Sequence, residues 1–102
     1  MQRMGFSQFF KKATISLLLM AVDKEVYLKQ LGERIRNVRL KKKLTQFDLA
    51  SSINKDRQSL QRVESGNVNP TAYYLYVLAE GLGVTVEYLT RFKVEKKLKK
   101  KK

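Results

Sequence analysis

The stretch from Lys55 to Ser65 gathers the side chains best suited to chemistry, since Lys55, Arg57, Gln58, Gln61, Arg62 and Ser65 all carry hydrogen-bond donors. A helix turns by about 100° per residue, which sends Leu60 and Val63 inward and Lys55, Gln58, Arg62 and Ser65 to the opposite side, with Arg57 and Gln61 on the flanks. The outward face is polar and free of acid. Arg donates twice to guanine O6 and N7, and Gln pairs with adenine N6 and N7, so this face has the chemistry of a base code. Any one of these residues, met alone on a helix, is ordinarily just solvated.

Catalysis has little to work with. The chain contains no His and no Cys, which removes most general-base, nucleophile and zinc arrangements, and its nine acids are scattered singly without a paired-carboxylate pattern. The sequence therefore reads as a non-enzyme with no cofactor or metal. Without Cys there is neither a disulfide framework nor a clue to redox compartment. The net charge of +13 over 102 residues favours polyanionic partners, meaning nucleic acid or an anionic membrane surface. More than half of that charge lies in the last twelve positions, where eight Lys/Arg face only Glu95.

A chain of this length holds one compact domain with tails, and one Pro and five Gly in 102 residues argue for a folded, mostly helical chain. The elements that must position Lys55–Ser65 follow from periodicity and caps. From Val26 an amphipathic helix is expected, with Leu28, Leu31, Ile35 and Val38 on one side and Leu40 at its margin. Thr45 is an N-cap for a second helix, with Asp48 early in it and Leu49, Ala50 and Ile53 facing inward. Asn54 tolerates a left-handed turn, and Asp56 caps a third helix from Arg57 to Ser65. Gly66, Asn67, Asn69 and Pro70 open a loop. A fourth helix runs from Thr71 or Ala72 to Glu80, stopped by Gly81 to Gly83, and Thr85 caps a short fifth helix from Val86 to Leu89.

Residues 1–25 form an N-terminal apolar extension. Its apolar run Ala13–Val22 is too short to span a bilayer as a helix, which takes about 20 residues. Three readings stand side by side: a signal peptide, although Ala21-Val22-Asp23 gives no clean cleavage site; an extra helix with Phe6, Phe9, Phe10, Ala13, Leu17 and Met20 at helical spacing; or residues upstream of a natural start at Met20. Residues 26–90 form the domain, and 91–102 a Lys-rich tail. The tail is expected to be helical at most to Leu98, and either adds sequence-independent phosphate contacts or merely solubilises.

The segments Leu31-Gly32-Glu33-Arg34-Ile35-Arg36, Leu44-Thr45-Gln46-Phe47-Asp48-Leu49-Ala50, Arg57 to Gly66, Asn69-Pro70 and Leu82 to Leu89, in this order and with these short spacings, resemble the lambda-repressor-like family of helix-turn-helix regulators, the Cro/repressor or xenobiotic-response-element type. The resemblance covers about residues 28 to 90. It implies an all-α, five-helix DNA-binding domain, a bacterial or phage origin and a cytoplasmic location. Residue by residue, Arg57, Gln58 and Arg62 match positions used for base edges, with Gln61 a weaker candidate. Gln46 matches the Gln at the start of helix two that grips a phosphate, and Ser65 and Asn67 match loop positions that touch the DNA backbone.

Arg39 and Glu64 match a semi-buried ion pair between helix one and the end of helix three, so Glu64 is expected to be structural. Two positions depart from the family pattern: Lys43 stands where Gly commonly ends helix one, and Asn54 where Gly commonly joins helices two and three. Tyr73, Tyr74, Tyr76 and Tyr88, at helical spacing, are expected as core and dimer contacts rather than as a base-stacking surface. Tyr88, Leu89 and Phe92 are expected on the dimer surface. The function this implies is a transcriptional regulator, acting as a repressor, that binds double-stranded DNA as a homodimer. A DNA-binding antitoxin with a toxin protein partner, and a membrane-surface protein using the N-terminal segment with the Lys tail, are the competing readings.

Overall fold

The computed structural model describes the backbone of residues 6–93 and the side chains of residues 24–93. Five helices follow in order: α1 (Phe6–Lys41), α2 (Gln46–Ser52), α3 (Arg57–Glu64), α4 (Ala72–Leu82) and α5 (Val86–Thr90). No strand occurs among the described residues, so the fold is all-α. No helix among them is long and apolar enough to cross a membrane.

Helix α1 starts twenty residues before the Val26 expected from periodicity. Nothing between Phe6 and Gly32 breaks a helix: there is no Pro, and Asp23-Lys24-Glu25 is polar but helix-compatible. The change in hydrophobic pattern at Val26 is therefore not where the helix begins. The side-chain packing suggested for Phe6 to Met20, and the structure of the tail from residue 94, lie outside the described residues. α5 ends at Thr90, and Arg91, already extended with ψ 91, closes it.

Caps account for the other starts. Thr45 Oγ1 accepts from Asp48 N at 2.9 Å while Asp48 Oδ2 accepts from Thr45 N at 3.1 Å, a complete capping box. The Asp56 carboxylate accepts from Ser59 N at 3.1 Å, Thr71 Oγ1 from Tyr74 N at 3.0 Å and Thr85 Oγ1 from Tyr88 N at 3.0 Å. α4 continues to Leu82, past the expected stop, because Gly81 fits inside the helix where its bare Cα faces Ile53 and Leu49. Gly83 ends it in the left-handed conformation at φ 72.

The core is one cluster drawn from every helix: Leu31, Ile35 and Val38 from α1, Leu49 and Ala50 from α2, Leu60 and Val63 from α3, Leu78, Ala79 and Leu82 from α4, and Leu89 from α5. Each large side chain so buried contributes about 1.5–3 kcal/mol. α1 packs on α3 and α5, α2 on α3 and α4, and α4 on α5.

Two expectations are corrected, that Leu89 lies on an outer surface and that Tyr73 and Tyr76 belong to the core. Leu89 is fully buried and takes no part in an outer surface, because it is the side chain α5 sends into the core, with Val86 packed beside it. Tyr73 and Tyr76 are not core: they are exposed by 67% and 52%, stacked on each other at 6.3 Å along the outer side of α4. Tyr74 is half-buried, with its hydroxyl 2.9 Å from Ser59 Oγ, and burial pushes its phenol up from the ordinary value. Tyr88 and Phe92 spend much of their surface within the chain. The Arg34 guanidinium lies 4.2 Å over the Tyr88 ring and donates twice to the Tyr88 carbonyl, at 3.0 and 2.9 Å, and Phe92 packs on Tyr27 at 5.2 Å.

Candidate nucleic-acid interface

α3 is fixed at both ends. Its start is capped by Asp56, and its buried side sends Leu60 and Val63 into the core. Its end meets α1 at Gly32, where a Cβ would stand 2.3 Å from the carbonyl oxygen of Glu64 and 2.6 Å from that of Val63. The two backbones touch because no side chain intervenes. The turn between α2 and α3 passes through Asn54 at φ 60, with Lys55 N donating to Ala50 O at 2.8 Å, so an Asn does the work that Gly would do more cheaply. Lys43, at φ 62, ends α1 in the same way: Lys43 N donates to Leu40 O at 2.9 Å and Leu44 N to Arg39 O at 3.2 Å.

Lys55, Arg57, Gln58, Gln61, Arg62, Ser65 and Asn67 are all exposed. Leu60 and Val63 turn the other way, so the donor-rich face of α3 faces outward on a rigid base. Among the described residues Arg62 makes no ion pair, and Asp56 is committed to its cap. The Lys55 ammonium sits 5.7 Å from the Tyr74 ring centre. Asp48 is likewise held in a cap, and Glu64 is buried, so the surface around α3 presents cations and amides and little free negative charge.

Arg39 and Glu64 meet as a forked pair. Arg39 Nε donates to Glu64 Oε2 at 2.7 Å and a terminal nitrogen donates to Oε1 at 3.0 Å, with the two side chains 7% and 3% exposed. The other terminal nitrogen donates to the Leu44 carbonyl at 2.8 Å, which ties the loop before α2 to α1. A carboxylate and a guanidinium paired this closely, with their spare hydrogen-bonding capacity met, sit in the interior at little net cost, whereas removing either leaves a stranded charge.

Gln46 is not free at the surface. It is half-buried, its Nε2 donates to Glu64 Oε1 at 2.9 Å, and its Oε1 accepts from an Arg57 terminal nitrogen at 3.4 Å. A shallow depression beside α3 is lined by Arg36, Arg39, Gln46, Gln61, Glu64 and Ser65. Arg36 was not among the residues singled out in the sequence. It lies one helical turn before Arg39, and that spacing from the buried Arg is the signal that places it on the α3 side of α1.

A helix, a turn through Asn54 and a second helix with an outward polar face, all seated on α1, define a helix-turn-helix domain. The chain belongs to the helix-turn-helix family of lambda-repressor-like type, whose model matches residues 35–89, more than half of the sequence. Among solved structures it is similar to the restriction-modification controller protein C.AhdI from Aeromonas hydrophila, at 32% identity and TM-score 0.60, over 61% of this chain and 94% of that one. It is also similar to the hypothetical transcription factor NHTF from Neisseria, at 25% identity and TM-score 0.60, over 67% and 77%. The clp gene regulator ClgR from C. glutamicum shares the fold, at 24% identity and TM-score 0.59, over 62% and 82%. No curated protein matches.

Proposed function

We propose that this protein is a transcriptional regulator, acting as a repressor in a bacterial cytoplasm, that binds double-stranded DNA as a homodimer with α3 in the major groove. The observation that carries the reading is the exposed, acid-free donor face of α3, backed by a core and a buried ion pair that hold it rigid. Arg57, Gln58 and Arg62 read base edges, Gln61 assists, and Gln46, Ser65 and Asn67 hold the DNA backbone. Lys55, just before α3, and Arg36, in the depression beside it, add exposed cations. Two copies would place two α3 helices on half-sites one helical turn apart, about 34 Å. The similarity to C.AhdI and NHTF, one described as a controller protein and the other as a transcription factor, supports regulation as the role.

The test is selection of bound duplexes from a randomised library at about 150 mM salt, where purely electrostatic binding is weak. The expected outcome is an enriched palindrome that Gln58→Ala no longer selects. Retained duplexes with no shared sequence would overturn the proposal.

A further inference from the structure

We infer that Glu64 is a positioning residue of the DNA-reading face, acting through Gln46 on Arg57, and not only one half of a buried ion pair. The inference rests on the DNA-binding reading above. Glu64 Oε2 is satisfied by Arg39 Nε, and Oε1 by a second Arg39 nitrogen. Yet Oε1 takes a further donor, Gln46 Nε2 at 2.9 Å, from a residue that begins α2 and reaches the surface. This third bond fills acceptor capacity that the two Arg39 bonds leave open on Glu64 and ties the pair to a residue outside the core.

What the third bond does is settle the direction of an amide. A carboxylate paired with a guanidinium only accepts hydrogen bonds, so the amide of Gln46 must turn its nitrogen toward Glu64 and its oxygen away. The outward oxygen then accepts from Arg57 at 3.4 Å, at the first residue of α3. The second hydrogen on Gln46 Nε2 is left for an acceptor such as a phosphate oxygen. A buried charge thus sets which atoms of two surface side chains are offered to DNA, and the rotamer freedom of Gln46 is spent before DNA arrives. The Arg39 bond to the Leu44 carbonyl at 2.8 Å adds to this, since Leu44 leads directly into the Thr45 cap and Gln46.

The experiment uses the full chain and its selected duplex, beside a second duplex altered at the base pair facing Arg57. Glu64→Gln, which can present either oxygen or nitrogen to Gln46, is expected to lose about tenfold in discrimination between the two duplexes, the low end of what one oriented base contact supplies. Affinity for unrelated DNA is expected to fall by less than discrimination does, because it loses only the Gln46 phosphate contact. In a Gln46→Ala background the same change is expected to shift discrimination by less than about twofold, because the link is already gone. A full loss in that background, or undiminished discrimination in Glu64→Gln, would overturn the inference.

Glu64→Asp keeps the charge beside Arg39 while drawing the carboxylate back from Gln46. It is expected to reproduce the loss if Glu64→Gln fails to fold, and full discrimination in it would count against the inference. In the free protein, the Gln46 side-chain amide resonances are expected to move in Glu64→Asp while the backbone spectrum stays dispersed; unmoved resonances would overturn the link between Glu64 and Gln46. This last measurement needs no DNA, so a parent that selects no sequence would sink the DNA reading without deciding the local one.

Discussion

Replacing Gly32 by Ala puts one methyl group where α1 and α3 touch. The added Cβ would lie 2.3 Å from Glu64 O, 2.6 Å from Val63 O and 2.7 Å from the Glu64 carbonyl carbon. All three are backbone atoms, so no side chain can rotate away; the helices must part by roughly 1 Å, opening the seam between Leu31 and Ile35 on one side and Leu60 and Val63 on the other. Overpacking of this kind costs about 1–3 kcal/mol, and a clash confined to backbone belongs at the upper end. Alanine gives back about 0.5–1 kcal/mol through its better helix propensity.

The expected net loss is about 2 kcal/mol, which for a domain of this size lowers Tm by about 8–16 °C. Thermal unfolding followed by helical circular dichroism, parent beside variant, reads it directly. Because the carbonyl that must move belongs to Glu64, DNA discrimination is expected to fall as well, even at temperatures where the variant is fully folded. An unchanged or raised Tm would refute the reasoning, since it would mean that α1 and α3 do not approach at Gly32.

Two further outcomes are expected. Lys43→Gly should raise stability by about 0.5–1 kcal/mol, because relief of a left-handed non-glycine residue is worth about 1–2 kcal/mol and the greater freedom of the unfolded chain takes back part of it; a lowered melting temperature would contradict this. Arg36→Ala should weaken binding evenly across DNA sequences and reduce the slope of log affinity against log salt by about 0.9, and an unchanged slope would remove Arg36 from the interface.

Much of this fold was legible because local signals and burial agree. Thr45, Asp56 and Thr85 cap the helices whose starts they mark in the sequence, and of the inward apolar positions in the first three helices Leu31, Ile35, Val38, Leu49, Ala50, Leu60 and Val63 form the core, Ile53 packs against it, Leu28 is half-buried outside it and Leu40 is half-exposed. The left-handed turns at Lys43 and Asn54 were visible as places where glycine was missing. What escaped were features with no local signature. Periodicity cannot find the start of α1, since a polar but helix-compatible stretch such as Asp23-Lys24-Glu25 changes the hydrophobic pattern without ending the helix. Nor can spacing tell that Tyr73 and Tyr76 turn outward while Tyr74 reaches Ser59, because neighbouring tyrosines on one helix are distinguished only by what α3 places beside them.

Gln46 shows the same limit at the interface itself. Its type and its place at the start of α2 suggest a side chain reaching for a phosphate, but a sequence says nothing of the acceptor eighteen residues away on α3. Taken from the sequence, Glu64 belongs to a semi-buried ion pair and Gln46 to a phosphate contact, two separate matters. The distances join them: Arg39 to Glu64 at 2.7 Å, Glu64 to Gln46 at 2.9 Å, Gln46 to Arg57 at 3.4 Å, each step further from the core than the last. In a domain whose α3 is only eight residues long, hardly any residue of that helix is far enough from the base-reading face to be purely structural. Substitutions that alter specificity should therefore be sought beneath the recognition helix as well as upon it.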